Sequence, residues 1–197
     1  MEKLQFIKVF DTGFISKIEL YIKRDENRFL AKKIIDKSQL SPQKKKQIDN
    51  EIKIIRGLND HYIIQYENVL ENLKYYIILM EFFSGKTVLD CLKSYILKYK
   101  KPFPEKFVQF IIREIARGIK VLHRNDIILR DFTNESIFVK FYHENDVNQI
   151  NILGAHIKIG RLKNAATIEQ LNNDSFYQKY KFDKLIYYMN KVEIYIL

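Results

Sequence analysis

Short runs of alternating polar and apolar residues open the chain. Lys17-Ile18-Glu19-Leu20-Tyr21-Ile22 repeats every second residue, the period of a half-buried strand. Arg28 to Ile35 is a second such run, set off by the turn-like Asp25-Glu26-Asn27. Ser41-Pro42 then predicts a helix start, because serine caps a helix well and proline suits its first position. That helix places Ile48, Ile52 and Ile55 on one face and reaches Gly57 near its end. Residues 62–70 and 74–82 are apolar, rich in Ile and Tyr, and predict two more strands.

After Ser84-Gly85 the period changes. Val88, Leu89, Leu92, Tyr95, Ile96 and Tyr99 suit an amphipathic helix. Pro104 stands at the start of a second helix, whose stripe is Phe107, Phe110, Ile111, Ile115, Ile119 and Leu122. Residues 137–142 and 150–159 predict a pair of strands around the polar Glu144-Asn145-Asp146. The chain is thus a strand-rich segment holding one helix, then a mainly helical segment, with the change near residue 84. Two unlike layers of this kind predict an α+β fold of two lobes with a ligand cleft between them.

Composition narrows the class. The chain has 197 residues, 47% hydrophobic and 29% charged, which excludes a disordered tail or a collagen-like repeat. The longest apolar stretch, Tyr75 to Phe83 with Glu81 inside it, is far below the roughly 20 residues of a membrane span. The start lacks the apolar core of a signal peptide, so a soluble cytoplasmic protein is expected. Cys91, the one cysteine, excludes a disulfide framework and a cysteine-based zinc site. The net charge of +10 fits a basic polyanion-binding module as an alternative. However, Lys44-Lys45-Lys46 fall where a solvated helix face is the ordinary reading. No ordered base-reading motif is present, so nucleic acid is not the expected partner.

An ordered set of motifs then resembles a eukaryotic protein kinase domain, from about Phe10 to Lys163. Leu30-Ala31-Lys32-Lys33-Ile34 resembles the third-strand motif, which implies that Ala31 contacts adenine and Lys33 holds the α/β-phosphates. Asn50-Glu51-Ile52 resembles the following helix, with Glu51 as the partner of Lys33; a carboxylate there would fix a flexible ammonium. Tyr76 to Phe82 resembles the strand entering the hinge. That implies Met80 as gatekeeper, with the backbone of Glu81 and Phe83 facing the adenine edge. Leu129-Arg130-Asp131-Phe132-Thr133-Asn134-Glu135-Ser136 resembles the catalytic loop, with Asp131 in the place of the base. Ile18, Ala31 and Phe138 preserve an apolar sandwich for the adenine ring. His123, at the end of the preceding helix, reads as a core or capping residue.

The departures from the family pattern are as informative. Of the glycine-rich loop only Gly13 remains, and Asp11 adds negative charge near a phosphate site. Arg161 stands where the family carries its metal-binding aspartate, and a guanidinium cannot ligate Mg²⁺. Ser136 replaces the second metal ligand, and Thr133 the loop lysine. No metal ligand set is therefore assigned, Mg²⁺ is not expected, and ATP is expected to bind weakly and without metal. The apolar positions survive: Ile55, Tyr66, Leu129 and Leu162 match a stack of four apolar side chains through both lobes.

Expected organisation is an N-lobe at 1–83, a partial C-lobe at 84–163, and an activation-segment-like tail at 164–197. In the tail, Tyr187 to Glu193 faintly resembles the end of that segment. The family's later helices are not expected in this chain, and Phe176 to Leu197 is expected to fold back on the helical lobe. An extended hairpin at Lys140–Ile157 is similar to that of the autophagy-initiating serine/threonine kinases. The resemblance implies a catalytically impaired pseudokinase that binds a protein partner, an active kinase or scaffold. The alternative is an active ATP-dependent serine/threonine kinase with a rebuilt metal site, to which Glu135 would offer a carboxylate.

Overall fold

The computed structural model describes residues 4–83, 87–130, 132–141 and 150–172. It divides into two compact units, Met1–Gly85 and Lys86–Leu197.

The first unit is built on a five-stranded antiparallel sheet in the order β1-β2-β3-β5-β4. Its strands are β1 (Leu4–Thr12), β2 (Ser16–Lys23), β3 (Arg28–Asp36), β4 (Tyr66–Glu71) and β5 (Tyr75–Glu81). β4 begins later than the hydrophobic run predicts, because Ile63 and Ile64 are buried in the connection instead. Helix α1 (Pro42–Arg56) begins as expected: the Ser41 hydroxyl accepts the Lys44 N–H at 3.3 Å, and Pro42 is the first helical residue. Its buried face is Glu51, Ile52, Ile54 and Ile55, whereas Ile48 is only half-buried. The face is thus rotated toward Ile54 relative to the predicted stripe. The core beneath it includes Leu20, Ala31, Ile35, Tyr76 and Ile78.

The second unit opens with α2 (Val88–Tyr99), held by a full capping box between Thr87 and Asp90. Helix α3 (Glu105–Arg124) follows, with Pro104 as its cap rather than its first residue. Short strands β6 (Ile127–Ile128) and β9 (Ala166–Thr167) pair antiparallel, as do β7 (Ile137–Phe141) and β8 (Ala155–Ile159). A one-turn helix, α4 (Ile168–Asn172), follows β9. Cys91, Phe107, Ile111, Val139, Ile152 and Ile157 belong to one buried cluster between the helices and the β7–β8 pair.

The arms of the expected hairpin pair as β7 and β8, but the predicted strand over 150–159 is shorter. Ile152–Gly154 forms a 3-10 turn, so β8 starts only at Ala155. Residues 142–149 of that hairpin lie outside the described residues, as does the expected fold-back of Phe176–Leu197.

On the outer face of β2 the Glu19 carboxylate sits 2.7 Å from the Lys17 ammonium and accepts the Tyr21 hydroxyl at 3.0 Å. The Lys17 hydrogen bond, aided by Tyr21 and Lys32 and opposed by burial, holds the Glu19 carboxyl below its ordinary value. A lowered folded pKa stabilises the fold above the unfolded value, and the contribution disappears as pH falls through the folded one. Replacing Glu19 with Gln should therefore lower the melting temperature near neutral pH. The gap to the parent protein should close below pH 4.5, the ordinary value for glutamate. Thermal melts across a pH series read this directly.

Candidate functional site

β3 pairs with β2 over Arg28–Ile35 and with β5 over Leu30–Asp36, and this register decides what shares a face with the candidate residues. Ala31 lies opposite Leu20 on β2 and Met80 on β5. Lys33 lies opposite Ile18 and Ile78. Directly opposed residues project to the same side, so Ile18, Leu20, Ala31, Lys33, Ile78 and Met80 form one face. Leu20 and Ala31 are both buried, while Ile18, Lys33 and Met80 are half-buried. Ile18 is thus diagonal to Ala31, and Leu20 is its direct neighbour. Leu20 was not singled out from the sequence, although the alternation of β2 already puts it on the side of Ile18.

Glu81 ends β5 with its side chain turned away from Met80 and buried. Its N–H donates to the Gln65 carbonyl at 2.9 Å, and its carboxylate accepts the Gln65 N–H at 2.7 Å. This double link ties the end of β5 to the chain entering β4. Phe83, the next hinge candidate, is buried. Gly13 closes the β1–β2 turn by donating its N–H to the Ser16 carbonyl at 2.8 Å, and the adjacent Phe14 is 90% exposed.

Glu51 is buried on α1, but among the described residues no ion pair forms between it and Lys33. Glu51 instead acts on Tyr66. Burial first, then the charges of Glu51 and Glu81, push the Tyr66 hydroxyl well above its ordinary pKa. α1 has a separate polar tie to the sheet. The Tyr76 hydroxyl donates to the Asp49 carboxylate at 2.5 Å, and the Lys37 ammonium lies 4.4 Å from the centre of the Tyr76 ring. Burial and the Asp49 hydrogen bond raise the Tyr76 pKa, so the hydroxyl keeps its proton and remains a donor. Of the four apolar positions expected to stack, Ile55 and Tyr66 belong to α1 and β4, which pack together in the first unit.

In the second unit, Leu162 is fully buried and Leu129 half-buried. Phe138 is half-buried on β7, opposite Lys158 on β8, and bridges to Thr87. His123 is half-buried in the last turn of α3, and its carbonyl accepts the Asp126 N–H at 3.0 Å. Asp131 lies outside the described residues. Thr133 and Ser136 flank a 3-10 turn, with their hydroxyls 3.4 Å apart and the Ser136 N–H on the Thr133 carbonyl at 2.8 Å. The Ser136 carbonyl accepts the Gly160 N–H at 2.9 Å, which brings Arg161 beside this turn. Arg161 has φ 56°, a left-handed conformation uncommon outside glycine, and its guanidinium donates to the Glu135 carboxylate. Arg130 Nε donates to the Asn164 carbonyl at 2.7 Å.

The chemistry of this donor set does not fit Mg²⁺, which demands oxygen ligands in a tight octahedron. The position where the kinase resemblance puts a metal ligand holds a permanent cation, Arg161, and the neighbouring carboxylate, Glu135, is engaged by it. Glu135 is therefore turned to charge neutralisation within the chain. The sheet face around Ala31 is apolar, and Lys33 stands two residues along the same strand.

A five-stranded antiparallel sheet with one helix against it, followed by a helical unit with short strand pairs, is the α+β protein-kinase-like fold. The family model described as the protein kinase domain matches residues 5–179, and the chain belongs to that family. It is 28% identical over 167 residues to the serine/threonine-protein kinase PLK2 of Mus musculus, covering 84% of this chain and 22% of that protein. It is 28% identical over 152 residues to the calcium/calmodulin-dependent protein kinase type 1 of Caenorhabditis elegans, covering 77% of this chain and 41% of that protein. A probable serine/threonine-protein kinase PLK of Dictyostelium discoideum is 30% identical over 130 residues, 64% of this chain and 13% of that protein. The chain is thus a protein kinase domain similar to serine/threonine kinases, and it spans less than half the length of these relatives. No helix among the described residues is long and apolar enough to cross a membrane.

Replacing Tyr76 with Phe keeps the buried ring and removes only the tie to Asp49. The expected loss is about 1.5–3 kcal/mol, the worth of one hydrogen bond to a charged acceptor, measured by urea unfolding. Asp49→Asn should lose less, because the amide oxygen still accepts the hydroxyl.

Proposed function

We propose that this kinase domain binds ATP without a divalent metal and transfers phosphate poorly or not at all. Its working role is to bind a protein partner, an active kinase or a scaffold, in the cytoplasm. One observation carries the reading: Arg161 stands in the metal-ligand position with its charge met by Glu135. Phosphoryl transfer depends on positioning and on neutralising the developing charge, and loss of a single electrostatic contributor typically costs about 10²–10³ in rate. Here both metal-holding positions have changed, to Arg161 and Ser136, and no Lys33–Glu51 ion pair forms among the described residues.

Nucleotide recognition rests on different parts. Ile18, Leu20, Ala31 and Met80 offer an apolar face for the base, and Phe138 is the candidate on the second unit. Lys33 and Arg161 are the cations assigned to the phosphates. The organisation we adopt is an N-lobe at 1–83, a C-lobe segment at 84–163 and a tail at 164–197.

Thermal-shift titration with ATP, in Mg²⁺ and in EDTA, tests the metal independence. Equal stabilisation in both is expected, and a strict requirement for Mg²⁺ overturns it. Radiolabelled phosphate transfer to a generic protein acceptor should be indistinguishable between the parent protein and Asp131→Asn. Transfer by the parent that the variant lacks would identify an active kinase instead.

A further inference from the structure

We propose that Phe10, Phe82 and Phe29 form an aromatic gate over the sheet face that carries Ala31 and Lys33. A planar base then reaches that face by parting Phe10 from Phe82. This rests on the nucleotide-binding reading above.

Alternation along β3 puts Phe29 on the side of Ala31 and Lys33, with Ile22 opposite it on β2. Phe82 follows β5 directly and donates its N–H to the Phe29 carbonyl at 3.4 Å. Their ring centroids are 6.5 Å apart. Phe10 comes from the far edge of the sheet. It lies in a register shift of β1, between the paired residues Val9 and Asp11, and is itself unpaired. Irregularities of this kind re-aim a side chain. The Phe10 ring meets Phe82 edge-to-face at 5.1 Å and 85°.

The distance makes this contact informative. β1 and β5 are separated by β2 and β3, three ladder steps of about 4.8 Å each. Rings from the two sides touch only by reaching over the intervening strands, at the Phe29 end of the face. The contact is also easy to exchange. Phe10 is 40% and Phe29 47% exposed, so opening sacrifices one ring contact rather than buried core. A purine presents the same kind of flat π-surface and can replace what the two rings lose.

The chain contains no tryptophan, so Phe82→Trp places a single emitter at the gate. Without ligand, adding Phe10→Ala to that variant should shift its emission to the red, because the ring that shields it is gone. Unchanged emission overturns the gate. In the native background, Phe10→Ala and Phe82→Ala should each bind trinitrophenyl-ATP about 2–10-fold more tightly than the parent, with faster association. The double variant should gain no more than either. Phe10→Leu, which keeps bulk without a ring edge, guards against a fold defect and should fall between parent and alanine. Weaker binding by the alanine variants would mean that the rings hold the base, and equal binding would mean that they do nothing. Either result overturns the gate alone. Absence of binding by the parent and every variant overturns the nucleotide reading together with the gate.

Discussion

The pairing of β3 with β2 on one edge and β5 on the other is the constraint on which the candidate site depends. A slip of one residue in either ladder would turn Ala31 and Lys33 to the opposite side from Leu20 and Met80. Burial resists that slip, because Leu20, Ala31, Ile35 and Ile78 lie in the core with the face of α1. The apolar surface of the proposed base-binding face is therefore the same surface that holds the sheet in register. Such a face persists for reasons of stability, whatever becomes of the chemistry beside it.

The polar parts are arranged differently. α1 is tied to the sheet through Tyr76 and Asp49, and Glu51 is buried beside Tyr66. The helix position thus has support that needs no ion pair from Lys33. In the second unit the charge at Arg161 is balanced by Glu135, 26 residues earlier, and the Ser136–Gly160 backbone bond keeps the two segments adjacent. Both side chains are about half exposed, so this is a surface ion pair worth little to stability.

Much of the framework was readable from local pattern. The Ser41-Pro42 start of α1 and the two-residue period of β2 depend on neighbours a few residues apart, which a sequence displays directly. The resemblance put Ala31 and Lys33 on one strand, and β3 carries both. Periodicity was less reliable where two partners compete for one element. Ile48 is half-buried and Ile54 buried because α1 is rotated to the surface the sheet offers, not to the best apolar stripe of its own. Ile152 lies in an apolar run that reads as strand, yet it turns in a 3-10 helix and is buried against the second unit's core.

By itself, the sequence determined the order of elements, the family to which they belong, and the presence of a guanidinium where a metal ligand was expected. These follow from residue type and short-range spacing. Only the tertiary structure decided that Glu135 meets Arg161, that Tyr76 meets Asp49, and that Phe10 reaches Phe82. Each of these contacts joins segments 26 to 72 residues apart. Their formation depends on strand order, register and twist, which no single stretch of the chain encodes on its own.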